Sequence, residues 1–158
     1  MGMEIERKFL VTDESWRAGA DGIAYAQGYL ARGSGRTVRV RIAGGEAWLT
    51  VKGPVSGFSR EEFEYPIPLQ DAHRMLRLCE GPIIEKERYR IPFGNHLWEV
   101  DEFHGENAGL VIAEVELSDA NEEPSLPPWI GTEVTGQPRY YNSNLTHHPY
   151  REWGPPRP

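Results

Sequence analysis

Glu4, Glu6 and Lys8 stand two residues apart in the run Glu4-Ile5-Glu6-Arg7-Lys8-Phe9. In an extended strand that spacing puts all three on one face and leaves Ile5 and Phe9 on the other. The alternation recurs along the chain. Arg39 and Arg41 alternate with Val38, Val40 and Ile42, and Lys52 shares a face with Trp48 and Thr50 against Ala47, Leu49 and Val51. Arg60, Glu62 and Glu64 form another such row, followed by Lys86, Arg88 and Arg90, by Glu99 and Asp101, and by Glu114 and Glu116 beside Ile112. Clustered carboxylates are hard oxygen ligands suited to Mg²⁺ or Mn²⁺. Clustered Arg and Lys hold phosphate oxygens, with Arg adding bidentate geometry. Both sets on one wall point to a metal-bound polyphosphate.

The elements that must carry these rows follow from turn signals. Strands are expected over the first eleven residues, then over 24–31, 36–43, 46–52, 59–67, 83–91, 96–103 and 110–117, parted by Gly33-Ser34-Gly35, Gly44-Gly45, Gly53-Pro54, Pro92, Gly94-Asn95 and Gly105. Leu69, Ala72, Met75, Leu76 and Leu78 have helical spacing, and Gly81-Pro82 is expected to end that helix. A short helix is expected over 12–17 and another after Pro138, over 139–147. From Ser118 the chain turns to Asp, Asn, Glu and Pro and reads as irregular. Eight strands joined mostly by short glycine turns argue for a mainly β (α+β) fold, an antiparallel sheet closed into a barrel. The order strand, helix, three strands occurs twice, which suggests a duplicated β-α-β-β-β unit.

A barrel must then choose a lining. The apolar set, in which Ile84, Tyr89, Val100, Phe103, Val111 and Val115 are also counted, would fill a small packed barrel or a carrier, with the charges outside. The alternative turns the charges inward and covers the apolar set with helices and loops. The strand centres are nearly pure Arg, Lys, Glu and Asp rather than the mixed polar set of a solvent face, which favours the charged lumen.

Composition narrows the partners. With 17 basic and 24 acidic residues among 158, net charge −7, the chain as a whole repels nucleic acid and anionic membranes, so neither is expected as a partner. The single cysteine, Cys79, excludes an internal disulfide and fits a reducing cytoplasm; it is expected to pack in the core. No apolar run reaches the roughly 20 residues that span a bilayer, and no signal segment is expected. Trp48, Trp98 and Trp129 are expected as packing residues, His73 as exposed, Arg60 and Glu99 as rim positions, and His147-His148 without a metal role.

In this setting Glu4-Ile5-Glu6-Arg7-Lys8 resembles the ExExK signature of the CYTH family, the triphosphate tunnel metalloenzymes. Gln27-Gly28-Tyr29-Leu30, Arg39-Val40-Arg41, Thr50-Val51-Lys52, Glu62-Phe63-Glu64, Glu85-Lys86-Glu87-Arg88-Tyr89, Glu99-Val100-Asp101, Glu114-Val115-Glu116 and Arg139-Tyr140 follow in the family's order. The resemblance implies an eight-stranded antiparallel tunnel occupying 1–148, with 149–158 as a flexible tail. It implies that Lys8, Arg39, Arg41, Lys52, Lys86, Arg88 and Arg139 bind phosphate. Glu4, Glu6, Glu62, Glu64, Asp101, Glu114 and Glu116 would form the metal set, for Mg²⁺ or Mn²⁺. Glu114, Glu116, Asp101 and Tyr29 would be the catalytic group, and the segment around Arg139-Tyr140 a plug closing one mouth. The activity implied is hydrolysis of inorganic triphosphate by a monomer or homodimer. Thiamine triphosphatase and class IV adenylate cyclase are alternatives on the same scaffold, and a non-catalytic polyphosphate-binding module is the alternative of another kind.

Overall fold

The computed structural model describes residues 2–154. Among these, nine strands form a single sheet: β1 (Gly2–Val11), β2 (Gly22–Gly33), β3 (Arg36–Ala43), β4 (Glu46–Lys52), β5 (Ser59–Ile67), β6 (Glu80–Phe93), β7 (His96–Phe103), β8 (Val111–Glu116) and β9 (Ile130–Glu133). Their order is β5-β4-β3-β2-β6-β7-β8-β1-β9, and a further antiparallel pairing of β5 with β1 closes the first eight into a barrel. Exchanging β1–β4 for β5–β8 maps this strand order onto itself, as a duplicated unit requires. A 3-10 turn at Ser15–Arg17 takes the place in the first half that α1 (Leu69–Leu76) takes in the second. No helix of the described residues is long and apolar enough to cross a membrane.

β1 is the seam. Its residues Gly2 to Ile5 pair with β5, and where β5 leaves, β9 takes over the same edge opposite Phe9 and Val11. The ninth strand lies in the stretch read from sequence as irregular. Four residues, Ile-Gly-Thr-Glu, following two prolines carry no alternation to read, and it is the vacant edge of β1 that makes them extended. Gly81-Pro82, expected as a helix stop, instead lies inside β6, while α1 ends at Leu76.

The outside of the barrel is apolar and is covered piecewise. Trp98, Val100, Ala113 and Val115 on β7 and β8 pack with Phe9, Trp16 and Trp129, so the 3-10 turn and the strand to β9 form one lid. Trp98 is wholly buried, its ring 5.6 Å from Phe9 and 6.2 Å from Trp129. Ala72, Met75 and Leu76 of α1 cover Val40 and Ala47 on β3 and β4. A third cluster lies at one end of the barrel. Ile84, Phe103, Leu110 and Ile112 surround Leu145 of α2 (Asn142–Leu145), with Tyr140, Tyr150 and Trp153 against them. Ile84 and Phe103 therefore do not belong with the outward apolar set where the sequence reading put them. Both share strand parity with inward residues, Ile84 with Lys86 and Phe103 with Asp101, and the Lys86 ammonium lies 5.4 Å from the Phe103 ring centroid. Within the stretch read as a tail, Tyr150–Glu152 form a 3-10 turn and Trp153 stacks on Tyr140 and Tyr150.

Because Trp98 joins the barrel wall to its lid without touching the lumen, Trp98→Ala should destabilise the fold by about 3–5 kcal/mol. Urea titration followed by circular dichroism checks this; a loss under about 1 kcal/mol would show the lid is not part of the core.

Candidate active site

The pleat turns Glu4, Glu6 and Lys8 of β1 into the barrel, and its register aligns them with charges on neighbouring strands: Glu6 lies opposite Glu116, Lys8 opposite Glu114, and Glu4 opposite Arg60. Lys52 pairs with Glu62 across β4 and β5, Arg39 with Thr50 and Tyr29, and Arg41 with Gln27 and Trp48. All of these side chains except the fully buried Thr50 and Gln27 line one cavity of about 280 Å³ inside the barrel, which Tyr141, Asn142 and Ser143 close from the C-terminal segment. Of the site residues expected from sequence, the cavity brings together Glu4, Glu6, Lys8, Tyr29, Arg39, Arg41, Lys52, Glu62, Glu64, Lys86, Arg88, Glu114 and Glu116.

Two expected residues fall outside it. Asp101 also faces inward but is buried beneath the basic side chains, where Arg88 Nε and Nη2 donate to its two oxygens at 2.7 and 2.9 Å and Lys86 Nζ donates at 2.7 Å. Its lone pairs are committed to cations that the cavity itself uses. Arg139 has its guanidinium 3.8 Å from the Trp153 ring centroid, on the far side of the plug. It holds the C-terminal segment rather than lining the tunnel.

Two residues that sequence reasoning gave no role in the site support the basic wall. Tyr25 faces inward beneath the Arg41 and Arg88 guanidiniums, each 4.9 Å from its ring centroid. Gln27 is fully buried and accepts from Arg41 Nε at 2.8 Å. Parity was the available signal, since Tyr25 and Gln27 share a strand face with Tyr29, which faces Arg39 across the hairpin. Trp48, expected to pack, lines the cavity beside Arg41, and Glu99 accepts from Arg88 at 3.3 Å within it. Arg60, another lining residue, donates to the carbonyls of Gly53 and Gly35 and ties two turns together.

The ion pairs divide the acids into two groups. Glu4 takes both oxygens to Lys52 Nζ, at 2.9 and 3.0 Å, and Glu114 lies 3.8 Å from Lys8 and 4.0 Å from Arg88. Burial opposes ionisation of both, yet Lys52 holds Glu4 below its usual value, and Lys8, with Arg88 and Lys86, brings Glu114 down to about 2. Glu64 accepts from the Thr50 hydroxyl at 2.9 Å and lies 3.5 Å from Arg39. For Glu6, Glu62 and Glu116 burial and neighbouring carboxylates outweigh the nearby cations, although Lys8 lies 3.9 Å from Glu6 and Lys52 3.4 Å from Glu62. Burial, then Glu114 and Glu4, push Glu6 up to about 8. Burial and neighbouring carboxylates also raise Glu62 and Glu116. On the basic wall, burial and then Arg39 and Arg88 lower Arg41 to about 9, while burial lowers Lys86 to about 7 against the pull of Asp101. Such an oxygen-rich cluster, with ionisation disfavoured by burial at Glu6, Glu62 and Glu116, fits a hard divalent cation.

Elsewhere, on the outer wall, Glu87, Glu102 and His104 converge, with one ligand atom of each within 4.8 Å of the others. There Arg17 already takes Glu102 through two hydrogen bonds, one of 3.0 Å to Oε1.

Asp101 supplies the clearest pH dependence. Burial disfavours its charge, but Arg88 and Lys86 hold it far below the ordinary carboxylate range. A depressed folded-state pKa stabilises the fold above the unfolded value, roughly pH 3.9, and that stabilisation is lost as pH falls towards the folded value. Asp101→Asn should therefore destabilise the protein by about 3–5 kcal/mol at pH 7 by leaving buried cations unpaired. The gap between variant and wild type should narrow only below about pH 4. Denaturant titrations from pH 7 to pH 3 test this, and an equal gap throughout would contradict it.

The fold and cavity have relatives. The family model for the CYTH domain matches residues 2–150. A curated protein of Acetivibrio thermocellus named inorganic triphosphatase is 51% identical over 154 residues, covering 97% of this chain and 99% of its own. One of Nitrosomonas europaea with the same name is 38% identical over 151 residues, covering 90% and 95% respectively. A crystal structure of an inorganic triphosphatase superposes with a TM-score of 0.66 at 32% identity, over 90% of this chain and 96% of that one. A putative adenylate cyclase of Bacillus halodurans, 18% identical with a TM-score of 0.58 over 76% of this chain and 84% of its own, shares the fold. With a barrel closed between β1 and β5, acids and bases facing each other across its lumen and the family match running almost end to end, the chain belongs to the CYTH family.

Proposed function

We propose that the protein is a metal-dependent hydrolase that removes the terminal phosphate of inorganic triphosphate held inside the barrel. The observation that carries this reading is the cavity: eight basic side chains, Lys8, Arg39, Arg41, Lys52, Arg60, Lys86, Arg88 and Arg90, share about 280 Å³ with seven carboxylates. The volume suits a small, highly charged chain of phosphates. The names of the Acetivibrio and Nitrosomonas relatives support the same substrate.

On this reading the basic wall grips the phosphates, with Arg39, Arg41 and Arg88 offering forked donors and the lysines point charges. Glu4, Glu6, Glu62, Glu64, Glu114 and Glu116 are the residues placed to hold Mg²⁺ or Mn²⁺. A bound dication supplies neutralisation of charge on the phosphoryl oxygens as the bond breaks. Glu114 and Glu116 share the face opposite Lys8 and Glu6 and are placed to accept from an attacking water and orient it. Asp101 keeps Arg88 and Lys86 in place from beneath. Tyr29, 5% exposed and beside Arg39, caps the phosphate-binding wall. Cys79, with no disulfide partner, fits work in a reducing cytoplasm, by a monomer or homodimer.

Trp48 favours a second reading. An indole facing the lumen beside Arg41 offers a surface to the organic group of thiamine triphosphate or ATP.

Phosphate release from tripolyphosphate, ATP and thiamine triphosphate, each with Mg²⁺, Mn²⁺ or EDTA, separates the readings. Turnover is expected with tripolyphosphate and metal, abolished by EDTA and reduced at least about 100-fold in Glu114→Gln and Glu116→Gln. Preference for an organic triphosphate would favour the Trp48 reading. Cyclic nucleotide from ATP would identify a cyclase, and tight tripolyphosphate binding without turnover a binding module.

A further inference from the structure

A continuous line of hydrogen bonds, partly buried, runs from the basic wall into the C-terminal segment and back. Arg41 Nε donates to Gln27 Oε1 at 2.8 Å, and Gln27 Nε2 donates to Asn142 Oδ1 at 2.9 Å. Lys86 Nζ donates to the same Asn142 oxygen at 2.9 Å and to Asp101, which binds Arg88. The direction of the line is fixed at both ends, because Arg and Lys only donate. Arg41 requires the Gln27 oxygen, which leaves the Gln27 amide nitrogen for Asn142, and both neighbours then require the Asn142 oxygen. Turning either amide over would set donor against donor around a glutamine with no solvent access.

Asn142 opens α2, the short helix that seals the apolar end of the barrel, and the helix is seated independently of this line. Leu145 is buried among Ile84, Phe103 and Ile112. Gly81, at φ +70, brings β6 so close that a Cβ there would lie 2.8 Å from the Thr146 carbonyl oxygen. Apolar contact alone would close the tunnel. The polar line adds a fixed acceptor at the point where Lys86 and Gln27 converge.

We propose that Asn142 is a positioning residue for triphosphate binding: its side-chain oxygen orients Lys86 directly and Arg41 through Gln27. Seating of the C-terminal helix and alignment of two phosphate-binding cations are then one event. The inference rests on the reading of Lys86 and Arg41 as phosphate-binding residues.

The test compares wild type with Asn142→Ala, Gln27→Met, the double variant and Leu145→Ala. Tripolyphosphate binding is measured by calorimetry in EDTA, phosphate release with Mg²⁺ or Mn²⁺, and Tm by circular dichroism. Asn142→Ala is expected to weaken metal-free binding and raise KM by about tenfold or more, with kcat within about threefold. Gln27→Met keeps the shape of the side chain and cuts the link to Arg41, so it should weaken binding too, and the double variant should lose clearly less than the product of the two single losses. Leu145→Ala should lower Tm at least as much as Asn142→Ala while binding stays within about twofold. Binding within twofold of wild type in Asn142→Ala overturns the proposal, as does an equal loss in Leu145→Ala or full additivity in the double variant. Should Asn142→Ala fail to fold, unchanged binding in Gln27→Met overturns it instead. A wild type that neither binds nor hydrolyses tripolyphosphate defeats the phosphate reading itself, whatever the variants do.

Discussion

Asp101 is the fixed point of the lumen. A barrel that turns its charges inward must keep each of them in a place where water is scarce, and a buried ion is tolerable only with a counter-ion at hydrogen-bond distance. Asp101 meets that condition for Arg88 and Lys86 together, at 2.7 Å for each nearest contact. Its carboxylate spans two adjacent positions of β6 and prevents the guanidinium and the ammonium from collapsing onto the acids across the tunnel. The rest of the basic wall is arranged around this pair, with Tyr25 under Arg88 and Arg41, and Gln27 behind Arg41.

Turning the charges inward has a cost on the outside. Apolar residues that would fill the core of an ordinary small barrel face outward and need cover, and the chain supplies it from three separate stretches: the turn around Trp16, α1, and the approach to β9 with Trp129. The cover is uneven. Val51, Phe63 and Tyr65 on β4 and β5 remain exposed, while β6, β7 and β8, which carry Lys86, Arg88, Asp101 and Glu114, lie under the most continuous lid. The strands with the most demanding electrostatics are thus those held most firmly from behind.

The rows of charge were legible in the sequence because strand periodicity is a short-range property: once Glu4, Glu6 and Lys8 alternate with Ile5 and Phe9, the pleat assigns the faces. The eight barrel strands and their short turns followed from the same signal. What escaped depended on contacts between distant segments. β9 is extended because β1 has a vacant edge there, which no local pattern among Ile130–Glu133 announces. Ile84 and Phe103 were read with the outer face because they are apolar, although their parity with Lys86 and Asp101 pointed inward; the plug makes that end of the lumen dry. Asp101 and Arg139 looked like ligands by residue type. Only the folded chain shows that the first is already saturated by Arg88 and Lys86 and the second stacked on Trp153. Asn142, outside every row of alternation, drew no notice at all.

The division of the acids also bears on how substrate and metal would act together. Within the tunnel Lys52 and Lys8 neutralise Glu4 and Glu114. A polyphosphate that recruits those lysines leaves both carboxylates short of positive charge, beside Glu6, Glu62 and Glu116, which burial and their neighbours already hold above the usual range. On the proposed reading the anion would therefore raise the affinity of the acidic wall for a dication, and by linkage a dication bound there would free the lysines and raise affinity for the anion by the same factor. Neither wall has to change shape for this coupling to operate. It requires only that the two sets of charge be close enough to share partners, as the 2.9 Å contact of Lys52 with Glu4 and its 3.4 Å contact with Glu62 make them. A lumen built from either set alone would bind one ligand and have no such dependence on the other.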